Sequence, residues 1–454
     1  DEPPHGGGVF VRWDVQGGKA SFALEGPSVP GRPSERMSIP IEARSKDANT
    51  LSVTVAGRTI DARVGEFSDW IEATFEKDGT RIAGIFKIAA LEAAPRLRLF
   101  VSPIGFDPRA PYSPVSYPNA YAGALSAQIG GLYKTVGWDH DTSSLNEEVV
   151  DDALFLRDMD SIETQRTEML MTSLAKDDWQ LLLWVSTATD RAAHMFYRLI
   201  DPQHPRYDAE LAARHGDAIE RQYKRMDETI GRVLSQLRPN DTLLIMSDHG
   251  FHNYRRGLHV NQWLRQNGFL TLRNGAEASG HEFLLDVDWS QTKAYALGTG
   301  QIYFNVRGRE RDGIVNASDT AALAQQIREG LKALRDDTAG GAVVVSEVYV
   351  GAQAFHGGRA SEAPDLQIAF AENYRTSWET ILGGVPAGLL ADNTRKWSGD
   401  HAASDVAETP GILVANRPIS RANPAIWDLA PTIVSLFGKP VPQGYVGGSV
   451  FVAR

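Results

Sequence analysis

A proline-dense passage, Pro103, Pro108, Pro111, Pro114 and Pro118, divides this chain between two hydrophobic periodicities that one kind of layer cannot accommodate. Before it, from residue 9 to about residue 102, apolar residues alternate in short runs at 20–24, 37–43, 51–55, 70–76 and 81–88. Asp78-Gly79 separates the last two, and Asp-Gly between alternating runs predicts a two-residue hairpin. The density of short strands predicts an all-β module over residues 1–110. Beyond the prolines, residues 145–175 carry a helical pattern, 180–186 read as a buried strand, 209–237 as a long helix and 242–246 as a second buried strand. That order predicts an α/β core over residues 111–454, with a largely parallel sheet flanked by helices. Strands at 301–306 and 342–350 and an amphipathic helix at 319–334 predict a small α+β excursion at about 265–390.

With 454 residues the chain exceeds what a single core usually serves. Its net charge of −11 argues against a nucleic-acid partner and favours small or metal-neutralised substrates. The sequence holds no cysteine, which excludes disulfides, thiolate metal sites and a cysteine nucleophile. No apolar run reaches the roughly 18 residues of a membrane-spanning helix. The opening Asp1-Glu-Pro-Pro-His-Gly-Gly-Gly8 has neither an initiator methionine nor a signal-peptide pattern, and reads as the middle of a longer protein.

Three separated pieces carry chemistry: Asp190-Arg-Ala-Ala-His194, Ser247-Asp248-His249-Gly250 and Gly399-Asp400-His401. If a helix starts near residue 188, Asp190 and His194 share one face four residues apart. Asp248 and His249 follow a buried strand; adjacent residues on a regular strand point to opposite faces, so the two address one centre only if the strand breaks there. Alone, each piece is equally well explained by a capping carboxylate and a histidine packed under a loop. Together they supply Asp190, His194 and His401 for one metal ion and leave Asp248 and His249 for a second. Imidazole nitrogen with carboxylate oxygen suits Zn²⁺ or Mn²⁺ better than Ca²⁺.

These pieces, in this order, resemble the alkaline phosphatase superfamily, and within it the type I phosphodiesterase/nucleotide pyrophosphatase branch. The likeness runs from about residue 131 to the end and includes Asp428-Leu-Ala-Pro-Thr-Ile-Val-Ser-Leu-Phe-Gly438, similar to the family's last helix. It implies an alkaline-phosphatase-like core, two divalent metal ions, a small phosphoester substrate and phosphodiester or pyrophosphate hydrolysis by in-line attack. It also implies a further Asp ligand and a Thr or Ser nucleophile from an early Asp-Gly strand and the helix after it. Neither is recognisable ahead of Asp190, so both are expected upstream of residue 1. The β module would then be an insertion, the missing N-terminal segment of the precursor a partner of this chain, turnover by this chain alone weak or absent, and at least one of its metal sites weakened. Many relatives are exported, which implies an extracytoplasmic location.

Arg255, Arg256 and His259 follow the second pair closely and are candidates to meet phosphate, since guanidinium forks match its oxygens; a solvated loop explains them as well. His252 is a candidate supporting residue for the metal ligands. Two other readings stand beside hydrolysis of diesters. One is phosphomonoesterase, phosphomutase or transferase chemistry on the same metals; the other is a non-catalytic binding protein with a retained metal scaffold.

Overall fold

The computed structural model describes residues 15–452, residue 17 excepted. The opening segment 1–8 and the expected start of the β pattern at residue 9 lie outside the described residues. The chain forms a mixed α/β structure and divides into two compact units. One holds the described residues up to Leu199 together with Ala209–Leu237, the other Ile200–Asp208 together with the residues from Arg238 onward.

In the first unit, strands Val15–Gln16, Lys19–Val29, Arg32–Asp47, Thr50–Val55 and Arg58–Arg63 form a sheet in chain order, every pair antiparallel. Period-two alternation decides what is buried: Met37, Ile41 and Ala43 from one strand and Leu51, Val53 and Val55 from the next enter one core. Phe75 and Phe86, from the pair Ile71–Lys77 and Thr80–Phe86, join it. The Asp78-Gly79 turn forms as expected, with positive φ at both residues (50° and 77°) and Lys77 paired with Thr80. Both signs match the primed turn whose twist suits a hairpin.

The expected helix at 145–175 resolves into Thr142–Asn146 and Asp152–Leu174. Asp141 and Asp151 each start a new helix by accepting a backbone N–H three residues on, from Ser144 at 3.1 Å and Leu154 at 2.7 Å. The expected helix at 209–237 likewise divides into Ala209–His215 and Ala218–Gln236. Arg225 on the latter pairs with Asp160, and Arg232 with Glu168, both on Asp152–Leu174.

Residues 180–186 correct the sequence reading: they run outside any strand ladder and are not buried. Leu182 and Trp184 pack against Leu170, Met171 and Leu174, whereas Leu181, Leu183 and Val185 are exposed, Leu183 by 82%. The run is apolar on both faces, as a doubly covered strand would be, but a helix covers only one face and none of the described strands pairs with it.

The second unit is built around residues 294–370. Strands Ala294–Ala296, Gln301–Phe304, Leu366–Phe370 and Val345–Val350 lie side by side in that order, all antiparallel. Helix Thr320–Ala333 covers the sheet with Leu323, Ile327 and Leu331, each four residues from the last. Ile327 and Leu331 are fully buried, each contributing about 1.5–3 kcal/mol relative to exposure. A second, small sheet is centred on strand His252–Leu258, flanked by Asn373–Thr376, Leu390–Asp392 and Gly399–Asp400. Among the described strands, Leu244–Met246 pairs only with Leu413–Ala415, antiparallel. The pairing of His252–Leu258 with Asn373–Thr376 is parallel, and the other pairings between named strands described here are antiparallel. The largely parallel sheet expected from the sequence is not what these strands form: 180–186 joins no described strand, and the pairing of Leu244–Met246 with Leu413–Ala415 is antiparallel.

Candidate metal centre

Asp190 and His194 belong to helix Ala188–Phe196 in the first unit. Asp190 sits in the first turn, where the helix dipole favours a carboxylate, and His194 in the last turn. The four-residue spacing puts Asp190 Oδ1 3.6 Å from His194 Nε2, beyond hydrogen-bonding distance yet close enough for both to face one ion. His194 is buried and Asp190 half-buried. Arg191, stacked over Trp138 at 4.1 Å, lies 3.4 Å from the other carboxylate oxygen.

The second unit assembles Asp248, His249 and His401. The strand Leu244–Met246 ends just ahead of Ser247, whose N–H donates to Ile412 O and whose Oγ accepts from Ile412 N–H. The chain then turns, and Gly250 is required there by close approach: a Cβ would lie 2.8 Å from Pro410 O. His249 Nδ1 is 3.0 Å from Gly250 O; a carbonyl only accepts, so Nδ1 bears the proton and Nε2 offers its lone pair. Asp248 Oδ1 is 3.6 Å from that Nε2.

The rings of His249 and His401 stack with centroids 3.5 Å apart and planes within 8°. Phe251 packs edge-on against both, at 5.5 and 5.1 Å. Ligand nitrogens of the two histidines lie within 4.8 Å of one another, on half-buried residues. Two parallel imidazoles, one with its proton directed at a carbonyl, beside a carboxylate exposed by 71%, are donors of the kind that divalent transition-metal ions take.

The remaining candidates are engaged elsewhere. Arg255 makes a two-pronged ion pair with Asp201, at 2.5 and 2.6 Å, and donates to Gln203. Arg256 pairs with Asp336 and, at 2.9 Å, with Asp392. His259 is buried, 2.7 Å from Ser377 Oγ, and burial holds its imidazole below the ordinary histidine range, partly offset by Glu379. His252 bonds Asn253 O through Nδ1 and Ser404 Oγ through Nε2, both at 2.6 Å, which ties the strand to the turn after His401.

Sequence reasoning passed over Asp400 and Phe251. Asp400 directly precedes His401 and Phe251 lies two residues after His249, and that closeness was the available signal. Asp400 is buried and accepts the N–H of His401 and of Ala402 on one oxygen, both at 2.8 Å.

Two carboxylate–imidazole pairs on a mixed α/β chain are donor groups of the kind that divalent-metal-binding α/β proteins use. The chain belongs to the type I phosphodiesterase/nucleotide pyrophosphatase family, part of the alkaline phosphatase superfamily, whose model matches residues 60–387, well over half its length. The match includes Asp190, His194, Asp248 and His249 and stops short of His401. No curated protein and no solved structure matches the chain.

Proposed function

We propose that the protein is a metal-dependent phosphoester hydrolase acting on small phosphodiesters or pyrophosphates, with Asp190, His194 and His401 holding one divalent ion and Asp248 and His249 the other. The family membership supports the reaction class. The observation that carries the metal reading is the stacked His249–His401 pair, which brings two imidazole donors side by side with ring centroids 3.5 Å apart. Zn²⁺ is the preferred ion and Mn²⁺ the alternative, on the chemistry of the donors. Bound, the ions would supply charge neutralisation and activation of an attacking oxygen.

The chain's own residues then have separate tasks. The Gly250 carbonyl holds the His249 ring in one tautomer, Phe251 fixes the faces of both histidines, and the exposed Asp248 carboxylate contributes negative charge at the site's edge. The attacking group is a Thr or Ser hydroxyl in this reading, and no described residue is assigned to it. Arg255, Arg256 and His259 are left out as substrate contacts because Asp201, Asp336 and Ser377 already hold them.

The test compares cleavage of bis-p-nitrophenyl phosphate and p-nitrophenyl phosphate by the Zn²⁺- or Mn²⁺-loaded protein. Faster cleavage of the diester supports the reading at any absolute rate. Faster cleavage of the monoester replaces it with a phosphomonoesterase, and fewer than one bound transition-metal ion counts for the binding-protein alternative.

A further inference from the structure

Asp400 precedes His401 in the chain but cannot join it as a ligand. Its side chain is 2% exposed and both oxygens are taken. Oδ1 accepts the N–H groups of His401 and Ala402; Oδ2 accepts Trp397 Nε1 at 2.8 Å and lies 2.9 Å from Arg375 Nε. Arg375 is itself buried and lies between two rings, Trp378 at 4.2 Å and Tyr254 at 5.2 Å, which fixes the guanidinium in place. Trp378 in turn meets Trp397 edge-on at 6.1 Å.

These side chains converge on one strand. His252–Leu258 begins three residues after His249; it pairs with Asn373–Thr376 through Gly257 and Arg375, and with Gly399–Asp400 through His252 and Asp400. The Asp400–Arg375 contact therefore links two strands through the one that leads out of the His249 turn. The backbone on which His401 hangs is fixed relative to the backbone on which His249 hangs. Stacking at 3.5 Å needs that registration, because a shift of one residue in the 399–404 turn would take the His401 ring away.

We infer that Asp400, held by Arg375 and Trp397, is a positioning residue that sets His401 against His249 and thereby fixes the affinity of the metal centre. The inference rests on the proposed metal reading. Outer groups that orient metal ligands typically account for 10–100-fold in affinity. Asp400→Asn keeps the shape but places an amide donor among four N–H groups.

The experiment measures Zn²⁺ affinity by chelator competition, and the visible absorption of the Co²⁺ form, for the full chain and its Asp400→Asn, His401→Ala and Asp428→Asn variants. Asp428 is a matched control: it is equally buried, accepts two backbone N–H groups and pairs with Arg421, and bonds none of residues 397–404. The expected result is a 10–100-fold weaker Zn²⁺ affinity and an altered Co²⁺ spectrum for Asp400→Asn, wild-type metal binding for Asp428→Asn, and a larger loss for His401→Ala. Wild-type affinity and spectrum in Asp400→Asn, with loss in His401→Ala, overturn the positioning role and leave the metal site standing. Unchanged binding in His401→Ala overturns the site and this inference with it. If circular dichroism shows that Asp400→Asn does not fold, Trp397→Phe, which removes a single donor to Oδ2, is read by the same criteria.

Discussion

His259 shows at the scale of one residue how burial redirects a group that sequence places near a metal motif. Only 4% exposed and bonded to Ser377, it favours the neutral imidazole in the folded state. Its folded pKa lies below the unfolded value of about 6.5, so the unfolded chain binds more protons between the two. Stability is therefore full above about pH 6.5 and declines as pH falls below it. The melting temperature of the wild type is expected to drop between pH 7.5 and 5.5 by more than that of His259→Gln; equal drops would contradict this account. The same residue scale shows what was legible. Asp190, His194, Asp248, His249 and His401 stood out as candidates because each motif carries its carboxylate or imidazole within a few positions, and the stacking of His249 on His401 was not legible because 152 residues separate them. The fate of Arg255 and Arg256 was not, since their carboxylate partners are 54 and 80 residues away in the chain.

At the scale of elements, the turn after Leu244–Met246 is the piece that places His249, and Gly250 is its hinge. A methyl group in Gly250→Ala meets the carbonyl of Pro410, so the turn or the 409–411 segment must move. We expect a loss of about 1–3 kcal/mol in urea denaturation, as for overpacked sites, together with weaker Zn²⁺ binding from displacement of His249. Unchanged stability and metal affinity would show that the turn tolerates the shift. Local chemistry made some elements readable: Asp78-Gly79 fixes its hairpin through backbone preference alone, and Leu323, Ile327 and Leu331 announce a helix face. Residues 180–186 defeated the same reasoning. An apolar run states that its faces avoid water, not which neighbour will cover them, and here Leu181, Leu183 and Val185 have none of the described strands beside them. For the same reason a parallel sheet was expected where antiparallel pairing prevails, since strand direction is set by partners distant in sequence.

At the scale of the whole molecule, the family membership and the two ligand sets predict that metal and stability are linked. An ion that binds only the folded state raises stability by RT ln(1 + [L]/Kd), about 2.7 kcal/mol at a hundredfold excess over Kd. The melting temperature is thus expected to rise with added Zn²⁺ or Mn²⁺ and to fall with chelator, and a melting temperature indifferent to both would count against a resident ion. Neutral imidazole and ionised carboxylate are the binding forms, so the metal-dependent increment should shrink in acid. The most direct measurement is equilibrium dialysis of the metal-stripped chain against Zn²⁺, followed by metal analysis, for the wild type and for a variant carrying Asp190→Ala, Asp248→Ala, His249→Ala and His401→Ala. The account predicts at least one ion per wild-type chain and none held by the variant. Fewer than one ion per wild-type chain, or equal binding by the variant, would contradict it.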